Sequence, residues 1–172
     1  MIRLETPRLI LRDHELRDLE PYIAIESDAE YRAPQPVHPR AELARGFHGA
    51  LMVPKPLALW ATEERATGRY VGRCGLYPHR TDDGVVVPGE LDVGYYIGRA
   101  DWGQGFATEA ARALVVHAFD HLGVRRIHAG VNRLNTRSIR VAEKVGFTLI
   151  DPQPNPEGAA LDFELIRSIS TH

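Results

Sequence analysis

Trp102-Gly103-Gln104-Gly105-Phe106-Ala107-Thr108-Glu109-Ala110 holds two glycines two residues apart, between a strand-like and a helix-like run. Glycine backbone can come close to a ligand and reach dihedrals that a side chain forbids. The helix that follows leaves its first N–H groups unpaired and carries partial positive charge at that end. Together these make an anion site, and phosphate is the usual anion. A P-loop would need a Lys after the last glycine, and none follows Gly105. A dinucleotide fingerprint would need a third glycine at position 108, where Thr108 stands. A bare Gly-x-Gly also serves as a tight strand-to-helix turn with no ligand.

The proton-transfer candidates lie just upstream. Glu90 and Asp92 alternate along a strand-like run and share one face. Either can accept a proton, directly or through water; as exposed strand charges or structural pairs they would do neither. His79 and His128 are outside candidates in a chain with eight His. No His/Cys/Asp spacing suggests a metal site, so none is expected. Cys74, the single cysteine, cannot form an internal disulfide and reads as a small apolar strand residue rather than a nucleophile.

Several elements must position these groups. Leu9–Arg12 reads as a first strand, and Asp13 as the cap of a helix running to Ser27, with Pro21 inside it. Residues 33–39 form a proline-rich loop, and 41–52 a second helix. Strands are expected at 57–62, 70–77 and 90–97. Ala107, Ala110, Ala111, Leu114, Val115, Ala118, Phe119 and Leu122 make one apolar helical stripe that Gly123 ends. A strand at 126–131 follows. A helix at 136–145 comes next, with Asn135 as its cap and Gly146 as its stop. Short strands at 147–150 and 161–166 close the chain, with a proline-stiffened loop at 152–156. This order reads as mixed α/β in a single domain over residues 1–172.

With 172 residues, 44% hydrophobic and 26% charged, the composition is that of an ordinary globular protein. A net charge of −2 argues against nucleic acid as the main partner. The N-terminus does not read as a signal peptide, and no apolar run approaches membrane-spanning length. The lone cysteine suits a reducing cytoplasm.

Asn132-Arg133-Leu134-Asn135-Thr136-Arg137-Ser138, followed by Glu143-Lys144-Val145-Gly146-Phe147, closely resembles a signature of the GNAT (GCN5-related) N-acetyltransferases. Trp102 to Ala107 resembles that superfamily's acyl-CoA loop, with Trp102 where Gln or Arg is usual. The opening Leu4-Glu5-Thr6-Pro7-Arg8-Leu9-Ile10-Leu11-Arg12, with Gly94-Tyr95 and 102–110, is similar to the branch named for ribosomal-protein N-terminal acetyltransferases. The resemblance spans nearly the whole chain. It implies a GNAT-like mixed sheet with splayed central parallel strands, 90–97 and 126–131, and flanking helices. Acetyl-CoA would be the cosubstrate, its pantetheine arm pairing with a free strand edge at Ile97 and Tyr95. Its diphosphate would rest on N–H groups around Trp102, Gly103, Gln104, Gly105, Phe106 and Ala107, with Thr108 nearby. Asn135 could bond the pantetheine as well as cap its helix. Arg137 and Arg140 could meet the adenine-side phosphate, or form a solvated helix face.

The implied reaction is attack of an amine on the thioester in a ternary complex. The incoming ammonium must lose a proton, and the thiolate benefits from gaining one. A thiol pKa of about 8.5 asks little of the acid. Glu90 or Asp92 is the expected base. Ser138 is the expected acid by motif match, or a group that holds the sulfur in place. The acceptor is expected to be a protein N-terminus or a small-molecule amine, bound by segments 22–52, 77–89 and the loop after Asp151. A homodimer is compatible with the resemblance, and no sequence feature establishes one. A non-catalytic acyl-CoA-binding or sensing module on the same fold is the alternative. A nucleotide-binding domain of other chemistry is a third reading, against which the missing glycine and Lys count.

Overall fold

The computed structural model describes residues 3–33, 35–52, 57–151 and 160–167. The elements, in chain order, are β1 (Arg3–Glu5), β2 (Leu9–Arg12), α1 (Leu19–Glu26), α2 (Ala29–Arg32), α3 (Arg40–Leu51), β3 (Leu59–Glu64), β4 (Arg69–Arg80) and β5 (Val86–Ile97). There follow α4 (Phe106–His121), β6 (Arg126–Asn132), α5 (Thr136–Val145), β7 (Thr148–Asp151) and β8 (Ala160–Ile166). Short 3-10 turns precede α1, at Leu16–Asp18, and α4, at Arg99–Asp101. The strands pair in the order β1-β2-β3-β4-β5-β6-β8-β7. The β5–β6 pair is parallel, whereas β1–β2, β2–β3, β3–β4, β6–β8 and β7–β8 are antiparallel. The mixed α/β class expected from the sequence is therefore the one found.

The chain divides into two compact units, Met1–Gly75 with Tyr95–Ala110, and Leu76–Gly94 with Ala111–His172. The first has Leu9, Leu11, Trp60, Ala61, Val71 and Cys74 buried. The second has Leu76, Leu91, Ala111, Leu114, Ala118, Ile127, Ala129 and Phe163 buried. In α4 the middle of the expected stripe is buried, while Ala107, Phe119 and Leu122 at its flanks are half-buried.

Two expectations change in detail. Asp13 does not cap the first helix; Glu15 and Asp18 exchange reciprocal hydrogen bonds around the 3-10 turn instead. Pro21 falls in the first turn of α1, where its missing N–H would have had no partner anyway. The α5 reading holds at both ends. Asn135 Oδ1 accepts from the Ser138 N–H at 3.0 Å, and Gly146 takes the left-handed conformation, φ 106°. The proline loop at 152–156 lies outside the described residues.

The parallel pair decides where the sheet can open. Its ladder joins Glu90–Asp92 to Arg126–His128. Among the described residues no later pair joins these strands, although β5 runs on to Ile97 and β6 to Asn132. Within the second unit the ladder stops at Asp92 and His128, as the splay implied by the resemblance requires there.

Gly75 marks a close approach of backbones: a Cβ there would lie 1.8 Å from the Ala58 carbonyl oxygen. Gly75→Ala is expected to destabilise the fold by about 3 kcal/mol, the upper range for overpacking, because backbone and not a pliable side chain must move. Chemical denaturation of the variant beside the parent checks this.

Candidate functional site

The glycine stretch folds as an anion site requires. Gly103 and Gly105 both have left-handed φ, 79° and 82°. A Cβ on Gly103 would meet nothing within 4 Å, so its backbone faces open space. Phe106 opens α4, and the Glu109 N–H makes an early helical bond to the Gly105 carbonyl at 3.0 Å. The N–H groups of the first turn, ahead of Glu109, are left for a ligand or solvent.

Two sets of side chains hold this loop. Arg8 donates from Nη1 to the Gln104 carbonyl at 2.9 Å and lies over the Phe106 ring, 4.8 Å from its centroid. Glu109 receives the Thr6 hydroxyl at 2.6 Å, the Arg8 N–H at 2.8 Å and Arg8 Nε at 2.7 Å. Burial pushes the Glu109 carboxyl up, but the bonds from Thr6 and Arg8 outweigh it and leave it below the usual range. On the other side, buried Asp101 takes a two-pronged bond from Arg69 at 2.8 and 2.7 Å, and Gln104 Nε2 at 3.3 Å. Thr6, Arg8, Glu109, Arg69 and Asp101 received no role from sequence reasoning. The available signal was that Thr6-Pro7-Arg8 and Glu109 both sat inside the quoted motifs.

Trp102, the unusual residue of the loop, has a definite task. Its indole N–H donates to the Ile97 carbonyl at 2.8 Å. One lone pair of that carbonyl is thereby taken, so an incoming pantetheine would share it or use the neighbouring groups of β5. Tyr95 is half-buried, and Ile97 points into the core at 5% exposure.

In the second unit, the two strand carboxylates meet two imidazoles. Asp92 lies opposite His128 in the parallel ladder, and Glu90 opposite Arg126. Glu90 is buried; its Oε2 is 2.7 Å from His128 Nε2, and its Oε1 accepts from Arg125 at 2.8 Å. Asp92 has both oxygens 3.2 Å from His79 Nδ1. The His79 and His128 rings stack, with centroids 3.7 Å apart and planes 12° from parallel. Burial pushes the Asp92 carboxyl above its ordinary value, against the pull of His79. Burial also pushes on Glu90, but the hydrogen bonds of His128 and Arg125 prevail and leave it low. The two carboxylates thus share a face, as expected, and each has an imidazole within hydrogen-bond range. Sequence spacing gave no hint of metal, yet ligand atoms of His79, Glu90 and His128 all lie within 4.8 Å of one another. That grouping comes from three strands side by side, which spacing along one chain cannot reveal.

Helix α5 presents its first turn at the end of β6. Asn135 and exposed Arg137 and Arg140 stand on it, with Ser138 half-buried. Phe147, just past the helix, is buried as expected. Cys74 is a free, buried thiol pushed up to about 11, chiefly by burial, which suits packing and not nucleophilic work. In segment 22–52, Glu26 is buried and receives Arg73 at 2.9 Å and Arg32 at 3.2 Å, while Arg73 sits over the rings of Tyr22 and Tyr96.

Comparison with known proteins gives a family and a fold. Residues 8–148 match the acetyltransferase (GNAT) domain family. Among curated relatives, YkkB of Bacillus subtilis is 37% identical over 90 residues, 52% of this chain and 50% of that protein. In that match the chain spans about half the relative's length. The uncharacterized N-acetyltransferase p20 of Bacillus licheniformis is 29% identical over 170 residues, 95% of this chain and 88% of that one. A GNAT-family acetyltransferase from Bacillus anthracis shares the fold with TM-score 0.81 at 19% identity, covering 96% of this chain and 98% of that one. A protein from Vibrio cholerae, described as a candidate ribosomal-protein-serine acetyltransferase, does so at 0.78 and 21%, covering 96% and 98%. An aminoglycoside acetyltransferase in complex with coenzyme A does so at 0.75 and 20%, covering 92% and 95%.

The Glu109 clamp has a pH signature. A carboxyl held below its unfolded value, about 4.3, stabilises the fold above that value and loses the contribution as pH falls through the folded one. The stability lost in Glu109→Gln is therefore expected to be largest at neutral pH and to shrink as pH falls below the unfolded value. Urea denaturation of both proteins across that range measures it.

Proposed function

The chain belongs to the GNAT acetyltransferase family, and on that premise we propose that it moves the acetyl group of acetyl-CoA onto a primary amine, by direct attack in a ternary complex. The observation that carries this reading is the loop at 103–105. Two glycines in left-handed conformation open α4 and are braced from both sides by Arg8 and Asp101. A braced loop spends little entropy on binding, and its N–H groups meet a diphosphate already in place. Residues 102–108 hold the diphosphate. Tyr95 and Ile97 offer backbone to the pantetheine, Asn135 is a further hydrogen-bond partner for its chain, and Arg137 and Arg140 attract the adenine-side phosphate. One N-acetyltransferase domain occupies residues 1–172. A reducing compartment such as the cytoplasm suits the free Cys74 thiol.

Positioning and backbone polarisation of the thioester carbonyl supply most of the rate. The ammonium's proton passes to the Glu90–Asp92 face, and Ser138 sits by the departing sulfur. The acceptor is a protein α-amine or a small-molecule amine. Both kinds occur among the names of proteins that share this fold, one a candidate ribosomal-protein-serine acetyltransferase and one an aminoglycoside acetyltransferase. What the two acceptors have in common is an unprotonated nitrogen delivered to the thioester.

Acetyl-CoA at about a hundred times its dissociation constant should stabilise the chain by about 2.7 kcal/mol, whereas ATP and NAD should not. Gly105→Trp should abolish that effect, and an undiminished shift would overturn the diphosphate assignment. Ser138→Ala should lower turnover more than acetyl-CoA affinity, read as free thiol released with a panel of amines and peptides. Acetyl-CoA binding without thiol release on any acceptor would favour the binding module instead.

A further inference from the structure

We propose that His79, Glu90 and His128 form a binding site for one divalent transition-metal ion, with zinc the best match to the ligand set. Two imidazoles and a carboxylate are the donors zinc takes, and they leave a further position for solvent. The ligand atoms lie within 4.8 Å of one another. Bonds of about 2.0–2.2 Å to a tetrahedral ion require donors about 3.3–3.6 Å apart, so the His128–Glu90 pair, at 2.7 Å, must part while any donors set wider, up to 4.8 Å, draw in.

The hydrogen bonds around the trio suit such a site. Asp92 holds Nδ1 of His79 with both oxygens at 3.2 Å, which leaves the other ring nitrogen for an ion. A carboxylate behind a ligating histidine is the usual orienting device. Arg125 holds Oε1 of Glu90, leaving Oε2 turned to His128 Nε2 at 2.7 Å. A single proton bridges those two atoms, and an ion can replace it. The two rings stack, with centroids 3.7 Å apart and planes 12° from parallel, so one ring must turn for both to aim a nitrogen lone pair at one ion. Glu90 and Asp92 face Arg125, with Arg126 also acting on Glu90 and Asp162 adding its negative field to Asp92. Burial of Glu90 and the low exposure of His128, 12%, shield the charges from water and strengthen their pull on a cation.

The consequence for activity rests on the acetyl-transfer reading. The ion and the proton of the acceptor ammonium compete for the same Glu90 oxygen, so zinc slows turnover. Binding itself does not depend on that reading.

The test is calorimetric titration of the chelator-treated full chain with Zn2+, backed by the visible absorption of added Co2+. One ion per chain is expected, with the intense bands of a low-symmetry, nitrogen-ligated site. His128→Ala and Glu90→Gln should each weaken binding by about 100-fold or more, and Asp92→Asn by about 10–100-fold although no ligand is lost. His117→Ala/His121→Ala, a histidine pair elsewhere, should leave it unchanged. Failure of the parent chain to bind Zn2+, or undiminished binding in His128→Ala and Glu90→Gln, would overturn the proposal. The parent titration decides this even if a variant fails to fold, and circular dichroism reports which do. Thiol release by the metal-free preparation is measured alongside. Its absence would sink the acetyl-transfer reading and leave the zinc result standing.

Discussion

One carboxylate governs the first unit. Glu109 stands in the first turn of α4 and gathers the Thr6 hydroxyl, the Arg8 N–H and the Arg8 guanidinium. A glycine-rich turn has more conformational freedom to lose than any other backbone, so it must be held by something outside itself. Glu109 fixes Arg8, Arg8 fixes the Gln104 carbonyl, and Asp101 fixes the Gln104 side chain. The negative charge also favours the positive end of the helix dipole. The loop is therefore held in its left-handed turns from outside itself.

The second unit faces the opposite problem. It buries carboxylates instead of exposing amides. Glu90 and Asp92 would be costly there unless paired, and each has an imidazole at hydrogen-bond range. The two pairings differ in strength. Glu90, with a guanidinium as well, is held in its charged form, whereas Asp92 is pushed toward protonation by burial. Two adjacent carboxylates of unequal proton affinity, joined through stacked rings, make a face that can receive a proton or a cation.

The parallel pair β5–β6 links these themes along the chain. Its ladder is only Glu90–Asp92 long, and β5 then carries on toward the glycine loop. Strand edges left unpaired normally invite another strand. Under the proposed function that invitation would suit the amide groups of pantetheine. The Trp102 indole, bonded to the Ile97 carbonyl, trims that edge at the end nearest the loop.

Much of this was legible in the residues. The Gly103–Gly105 turn, the α4 stripe, the Asn135 cap and the Gly146 stop are local patterns, set by backbone sterics and by residues within a few positions of each other. They determined the mixed α/β class, the boundaries of α5 and the glycine turn ahead of α4. The Thr6–Arg8–Glu109 clamp spans about a hundred residues, and no periodicity encodes it. The stacking of His79 on His128, and the exchange of Asp13 for Glu15 at the first turn, likewise depend on which strands and side chains become neighbours. The sequence by itself determined which groups were available and what local shape each segment would take. Only the tertiary structure decided which of them meet, because hydrogen bonds and charges act over a few ångströms of space, whatever the distance along the chain.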